Sequence, residues 1–139
     1  MTSSFIFRRI TSNFLEKSID FFATMCYINN TKGVMKLKAK DHIYFIRIGA
    51  PEDNLYKIGT TNDIARRMYQ HERYYKKPVE VIWVSPAYSK YTTLRVEDRT
   101  INAWKELDGF NYIRNDRFII DPSIHTITIK VRKEWTIEF

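Results

Sequence analysis

The fold is decided by residues 42–59, which read HIYFIRIGAPEDNLYKIG. Residues 42–48 and 55–59 are rich in β-branched and aromatic side chains, and such runs predict β-strands. Between them lies a short cluster of turn-forming residues, Gly49-Ala50-Pro51-Glu52-Asp53-Asn54. Because a connection this short joins neighbouring antiparallel strands, the stretch predicts a β-hairpin.

Helix and strand signals alternate after the hairpin. Thr60-Thr61-Asn62-Asp63 provides N-cap candidates for a helix that is predicted to run from about residue 63 to residue 75. Further predicted elements are a strand over 79–84, a helix over about 93–107 with Gly109 as its C-cap, and strands over 118–120 and 126–139. The fold class is therefore α+β: a small, mainly antiparallel sheet flanked by helices.

Residues 4–27 predict an extra N-terminal amphipathic helix, because their apolar side chains recur at three- and four-residue spacings. A turn or linker signal follows at residues 29–33. We therefore divide the chain into an N-terminal helix with a basic linker, residues 1–40, and a domain over residues 41–139. If translation started at Met35, residues 1–34, including the predicted helix, would not be part of the protein. The helix carries too many charges for a membrane span, and we expect it to pack on the domain or on a second copy, as in a homo-oligomer.

Composition and charge limit the function classes only broadly. The chain of 139 residues is 44% hydrophobic and 28% charged, which is typical of a globular domain and not of a disordered segment. The net charge of +7 favours a polyanionic partner. Residues 1–40 contribute +5 of it, from seven basic and two acidic side chains, and residues 41–139 contribute +2, from sixteen and fourteen. The single cysteine, Cys26, cannot form an intramolecular disulfide and suits a reducing compartment.

One charged residue of the second predicted helix lies within an apolar pattern. Glu97 falls in the middle of a stripe formed by Leu94, Ile101 and Trp104 and flanked by Val96 and Ala103. This pattern predicts that the side carrying Glu97 faces the core. A buried carboxylate is costly unless it is paired or binds a metal. An ion pair with a buried arginine, a position at the edge of the stripe, and a functional carboxylate all stay open.

The first predicted helix raises the same question, because Arg67 and His71 lie beside its apolar stripe of Ile64, Met68 and Tyr75. The hairpin strands add Tyr44, Tyr56 and Lys57. Glutamate, arginine and a tyrosine or lysine form a set suited to phosphodiester hydrolysis. The carboxylate can hold a divalent metal, the guanidinium can stabilise the extra negative charge of the transition state, and the tyrosine or lysine can take a proton from water.

The order and spacing of these residues resemble the GIY-YIG endonuclease superfamily over roughly residues 41–121. The resemblance rests on His42-Ile43-Tyr44, on Lys57-Ile58-Gly59, on Arg67 and His71, and on Glu97. The chain looks closest to the branch found in phages and large DNA viruses, in which the second motif reads KIG and a short acid-aromatic motif closes the domain. Asp116-Arg117-Phe118 stands at that closing position. The resemblance implies a location in the cytoplasm of a prokaryotic or virus-infected host cell.

The two strand motifs supply three of the residues that the resemblance implies. Tyr44 matches the first-motif tyrosine, which would orient the nucleophilic water or act as its base. Lys57 stands where tyrosine is usual and would take the base role if its pKa is lowered. Gly59 matches the second-motif glycine, whose missing side chain would let the backbone turn into the site.

The two helices supply the other catalytic residues that the resemblance implies. Arg67 matches the family's arginine, and Glu97 matches its metal-binding glutamate. His71 matches a position where a histidine or tyrosine assists the chemistry. The cofactor implied is a single Mg²⁺, or Mn²⁺ in its place, and the reaction is direct hydrolysis of DNA.

Two departures from the family pattern keep an alternative function open. His42 stands where glycine is usual, and Lys57 stands where tyrosine is usual. The alternatives are a nucleic-acid-binding module with a decayed site and a structural component of a larger viral assembly. DNA is the expected partner, a membrane is not, and phosphate contacts are expected from four basic residues on and after the first helix. These are Arg66, Arg73, Lys76 and Lys77.

Overall fold

A computed structural model describes residues 39–139. The strands are β1 His42–Ile48, β2 Leu55–Thr61, β3 Val79–Val84, β4 Phe110–Tyr112, β5 Arg117–Ile120, β6 Thr126–Val131 and β7 Lys133–Glu138. Two α-helices accompany them in this part of the chain, α1 Ile64–Tyr75 and α2 Lys90–Lys105, and a 3₁₀ turn at Pro51–Asp53 connects β1 to β2. The expected N-terminal helix, Cys26 and Met35 lie outside the described residues.

Five strands form one sheet in the order β3-β1-β2-β5-β4, and β6 pairs with β7 in a separate two-stranded sheet. Every strand pair of the described residues is antiparallel. The predicted hairpin is confirmed, with Tyr44 of β1 opposite Gly59 of β2. The α+β class with a mainly antiparallel sheet is confirmed as well.

The alternation of side chains along β1 divides the core into two clusters. Ile43 and Phe45 lie on one side, in a cluster with α2 and the β6–β7 hairpin. Tyr44 and Ile46 lie on the other side, in a smaller cluster with α1. The central hairpin is therefore covered on both faces, and its residues 43–46 are at most 1% exposed.

The first helix begins and ends close to the predicted residues. The Asp63 side chain caps it by accepting a hydrogen bond from the backbone N–H of Arg66, at 3.1 Å. Ile64 and Met68 are buried, and Tyr75 packs at the edge of the same cluster. The predicted helix and its inner stripe are confirmed.

The second helix differs from its prediction in its start and in its buried face. It starts at Lys90 and not at residue 93, because the Ser89 hydroxyl caps it by accepting from the backbone N–H of Thr92. Leu94 is 45% exposed and Ala103 is exposed, so the expectation that both mark the core side is wrong. The buried face comprises Thr93, Val96, Thr100, Ile101 and Trp104. The buried face includes Thr93 and Thr100, and a prediction based on apolar residues alone misses these two threonines.

Gly109 does not cap the second helix, which corrects the prediction. The C-cap is Glu106, whose backbone N–H donates to the carbonyl of Ala103. Gly109 lies in the turn into β4 with a φ of +87°, where a Cβ would come within 2.6 Å of the Ile124 side chain. Glycine is needed at this turn for its left-handed backbone and for the close approach of Ile124.

The C-terminal region contains more strands than the pattern predicts. The three-residue strand β4 was not predicted, because it is too short to show a period. The predicted strand over 126–139 is a hairpin, since Arg132, with a φ of +61°, reverses the chain between β6 and β7. Within the described residues, no helix is long and apolar enough to cross a bilayer.

The β6–β7 hairpin belongs to the core, and replacing one of its buried residues tests this. Ile129 is fully buried in the cluster that contains Trp104. We expect Ile129→Ala to lower the free energy of unfolding by about 2–5 kcal/mol, because it removes buried methyl groups and leaves a cavity. Urea denaturation measures the change. Thr128→Ala on the exposed face is the control and should stay within about 0.5 kcal/mol; equal effects of the two variants would contradict this packing.

Candidate active site

A cleft of about 490 Å³ opens between β2, the start of α1 and the start of α2. It brings together five of the six residues that the sequence assigned to the motifs. These are Tyr44, Lys57, Gly59, Arg67 and Glu97. His71 does not line the cleft and lies behind Tyr44, to which it is hydrogen-bonded.

The register of the central hairpin explains the glycine at position 59. Tyr44 lies directly opposite Gly59, and a Cβ added at Gly59 would lie 2.5 Å from Cζ of the Tyr44 ring. The phenol therefore occupies the space that any other side chain would need. The sequence comparison implied that Gly59 lets the backbone turn into the site. The structure gives a different reason for glycine at this position, which is the close approach of the Tyr44 ring.

Tyr44 and His71 form a buried hydrogen-bonded pair. The Tyr44 hydroxyl lies 2.8 Å from Nε2 of His71. Burial, with Lys57 and Arg67 nearby, lowers the pKa of His71 to about 4, and burial raises the pKa of Tyr44 above its usual range. At neutral pH the pair is therefore an un-ionised phenol and a neutral imidazole, and the tautomer of His71 decides which of the two donates.

Lys57 contacts the turn between β4 and β5. Its Nζ donates to the carbonyl of Asn115 at 2.6 Å, and the backbone N–H of Ile58 donates to the carbonyl of Asp116. Asn115 and Asp116 both have left-handed backbones, with φ values of 56° and 59°. Burial lowers the pKa of Lys57, while the carboxylates of Asp116 and Glu97 oppose this change.

Asp116 is the site residue that sequence reasoning missed. It lines the cleft beside Glu97 and interacts with its carboxyl group. Burial, and then the negative charge of Asp116, raise the pKa of Glu97 to about 7, and Lys57 opposes the rise. The available signal was the position of Asp116 in the closing acid-aromatic motif.

The acidic residues of the cleft fit a hard divalent cation. Within residues 39–139, no group of three or more histidine, cysteine, aspartate or glutamate side chains is arranged to hold a metal. Mg²⁺ does not require such a group, because it binds through one or two carboxylates, waters and substrate phosphates. Glu97 and Asp116 provide two carboxylates on one cleft, and a cation would offset the repulsion between them.

The four basic residues expected to contact DNA lie outside the cleft. Arg66 and Arg73 are exposed on α1, and Arg66 lies 3.8 Å from the Asp63 carboxylate. Lys76 and Lys77 follow the end of that helix, and Lys77 lies beside Gly49. Gly49 is at the opposite end of β1 from Asp41, which lines the cleft. Only DNA that extends beyond the cleft could contact both lysines, and this contact stays a prediction.

His42, the departure from glycine in the first motif, does not line the cleft. It is buried, and its Nδ1 lies 2.9 Å from the carbonyl of Ser85, which follows β3. Burial lowers its pKa. The histidine therefore ties β1 to the chain after β3 and leaves the arrangement around Tyr44 unobstructed.

Gly59→Ala tests the close approach of the Tyr44 phenol. The added methyl group meets the ring, so we expect a loss of about 1–3 kcal/mol of unfolding free energy from overpacking. Tyr44→Leu removes the ring, and the double variant should therefore be more stable than the sum of the two single losses implies. Urea denaturation of the four proteins measures this coupling. Additive losses would show that Gly59 is required for another reason.

The raised pKa of Glu97 makes stability depend on pH. A carboxyl whose pKa is about 7 in the folded protein and 4.5 in the reference state stabilises the fold below pH 4.5. This contribution is lost as the pH rises through 7. Relative to Glu97→Gln, we expect the wild type to lose up to about 3 kcal/mol of unfolding free energy between pH 4.5 and 8.

Urea denaturation of both proteins, without divalent metal, measures this difference at each pH. Glu106→Gln, an exposed change at the end of the same helix, should follow the wild type at every pH. A difference between wild type and Glu97→Gln that does not change with pH would contradict the raised pKa.

The chain is similar to a known domain family over most of its length. The T5orf172 domain profile matches residues 41–137, which include the whole cleft and all of both described sheets except Glu138. No curated protein and no solved structure matches the chain. The family is phage-associated and related to nuclease folds of the GIY-YIG kind, which indicates a function connected with nucleic acids. On the extent of this match, the chain belongs to the T5orf172 domain family.

Proposed function

We propose that this protein is a metal-dependent endonuclease that hydrolyses DNA phosphodiester bonds. The observation that carries the proposal is the meeting of the Glu97 carboxyl with Arg67, Lys57 and Tyr44 in one cleft. These residues come from two strands and two helices that are far apart in the sequence. A carboxylate that can hold a metal, a guanidinium, a lysine of lowered pKa and a buried phenol form a set suited to hydrolysis of a phosphodiester.

Glu97 and Asp116 would hold the divalent cation. A bound Mg²⁺ or Mn²⁺ would polarise the phosphate and stabilise the leaving oxygen. Ionised Glu97 is needed to bind it, and the raised pKa means that binding releases a proton below about pH 7. Metal affinity is therefore expected to increase as the pH rises towards 7.

Arg67 would bind the scissile phosphate. Arg67 lines the cleft near Tyr44. Burial raises the pKa of the Tyr44 phenol, and the positive charge of Arg67 partly offsets this rise. A guanidinium presents a planar pair of donors to phosphate oxygens. Because its position is fixed before the substrate arrives, it would favour the additional negative charge that develops in the transition state.

Tyr44 would orient the attacking water and not deprotonate it. Its pKa is raised by burial, so the phenolate form is disfavoured. When Nε2 of His71 is the unprotonated ring nitrogen, the Tyr44 proton is directed to it, and the phenol oxygen can accept a hydrogen bond from water. Lys57 remains the candidate base, since burial lowers its pKa.

Plasmid cleavage tests the proposal. Supercoiled plasmid is incubated with and without Mg²⁺ or Mn²⁺ and with wild type, Glu97→Gln or Glu106→Gln, the last of which does not line the cleft. We expect metal-dependent nicking by the wild type and Glu106→Gln, and a loss of at least about 100-fold with Glu97→Gln, as for loss of an electrostatic group acting in the transition state.

Two outcomes would contradict nuclease activity. Retardation of DNA in a gel without nicking at any metal concentration would favour the alternative of a binding module with a decayed site. Nicking that survives in Glu97→Gln would place the activity outside the cleft or in a contaminant.

A further inference from the structure

The first turns of α2 expose apolar and aromatic side chains at the mouth of a polar cleft. Leu94 is 45% exposed and Tyr91 is 70% exposed. Among the cleft-lining residues in the described part of the chain, Leu94 is the only one with an aliphatic side chain. Lys90 also lines the cleft, and Arg95 follows Leu94. We call Lys90, Tyr91, Leu94 and Arg95 the α2 patch.

The geometry of the α2 patch leaves an aromatic face available. The guanidinium carbon of Arg95 lies 5.5 Å from the centroid of the Tyr91 ring, so one face of the ring carries a cation. Leu94 is three residues from Tyr91 and is therefore its neighbour on the helix surface. Tyr91 and Leu94 thus lie side by side on the exposed surface of α2, and Leu94 lines the cleft.

The chemistry of the α2 patch matches a nucleobase next to a phosphate. Aromatic and aliphatic side chains receive the face of a base, and neighbouring cations bind the backbone. Lys90 and Arg95 provide those cations, and Asp98 is an exposed acidic residue three positions after Arg95. A phosphate held by Arg67 would place an adjoining nucleotide within reach of Leu94, because both residues line one cleft.

A base can pack its face on Tyr91 and Leu94 only if the same face of the base is not already stacked on its neighbour in a duplex. The cleft volume of about 490 Å³ is enough for one nucleotide. An unpaired nucleotide meets both conditions.

We propose that the α2 patch binds an unpaired base of the DNA strand whose phosphate lies in the cleft, so that the substrate is single-stranded or carries unpaired nucleotides beside the cut. This inference rests on the proposed function for the position of the phosphate. It adds the class of substrate and the residues that select it.

The chain contains a matched control for the Tyr91–Arg95 pair. On α1, Arg73 lies 5.6 Å from the ring of Tyr69, which is 59% exposed. The spacing of four residues and the exposure are similar, but no cleft-lining residue lies three or four positions from Tyr69, as Leu94 does from Tyr91. Tyr69→Ala therefore removes an equivalent exposed ring away from the proposed base.

Binding without divalent metal tests the inference independently of cleavage. Fluorescence anisotropy is measured with three labelled DNA probes: a single strand, the same strand without any bases, and the blunt duplex of that strand. The single strand has about 12 nucleotides, which is within the usual site sizes of proteins that bind single-stranded DNA. The proteins are wild type, Tyr91→Ala, Leu94→Ala, Tyr91→Phe and Tyr69→Ala. Urea denaturation checks that each variant is folded.

We expect the wild type to bind the single strand more tightly than the baseless strand or the duplex. Tyr91→Ala should weaken single-strand binding about 5- to 150-fold, which is the effect of losing one stacked base, and leave binding of the baseless strand unchanged. Leu94→Ala should weaken it in the same direction, and Tyr91→Phe and Tyr69→Ala should bind as the wild type does.

The inference is overturned if the wild type prefers the duplex, if it does not bind the single strand, or if Tyr91→Ala binds both strands as the wild type does. Base-dependent binding without plasmid nicking would support the α2 patch and reject the nuclease. Nicking with unchanged Tyr91→Ala binding would reject the α2 patch and support the nuclease.

Discussion

The phenol of Tyr44 occupies the place where a Cβ would stand at position 59, and the arrangement of the cleft depends on this approach. It holds the ring against Gly59 on the side of the sheet that α1 covers, where its hydroxyl is hydrogen-bonded to His71. The helix therefore packs on the sheet through a polar pair as well as through Ile64 and Met68. Because Arg67 lies one turn before His71, the same contact positions the guanidinium at the cleft.

Burial determines the chemical state of the groups around that contact. It is the largest influence on the pKa of Tyr44, His71, Lys57 and Glu97. Each shift favours the uncharged form, as expected where charges leave water. Of these four groups, Glu97 has the pKa close to neutral, about 7, and a bound cation would restore its charged form.

The carboxylate that interacts with Glu97 comes from the turn between β4 and β5. Asp116 lies in a turn of two left-handed residues that is hydrogen-bonded to Lys57 and Ile58 of β2. Non-glycine residues with this backbone are uncommon and often occur at functional sites. The position of the carboxylate thus depends on the pairing of β5 with β2, and Lys57 acts on the site through this turn as well as through its own charge.

The sequence by itself determined the central hairpin, α1, strand β3 and the α+β class, because these depend on local periodicity and on turn and capping residues. It also identified five residues that line the cleft, since their order along the chain resembles a known pattern. Tertiary structure alone decided the buried face of α2, the exposure of Leu94 and the hairpin at Arg132. It also decided that Asp116 meets Glu97. These features depend on contacts between residues distant in sequence, which neither local spacing nor propensity records.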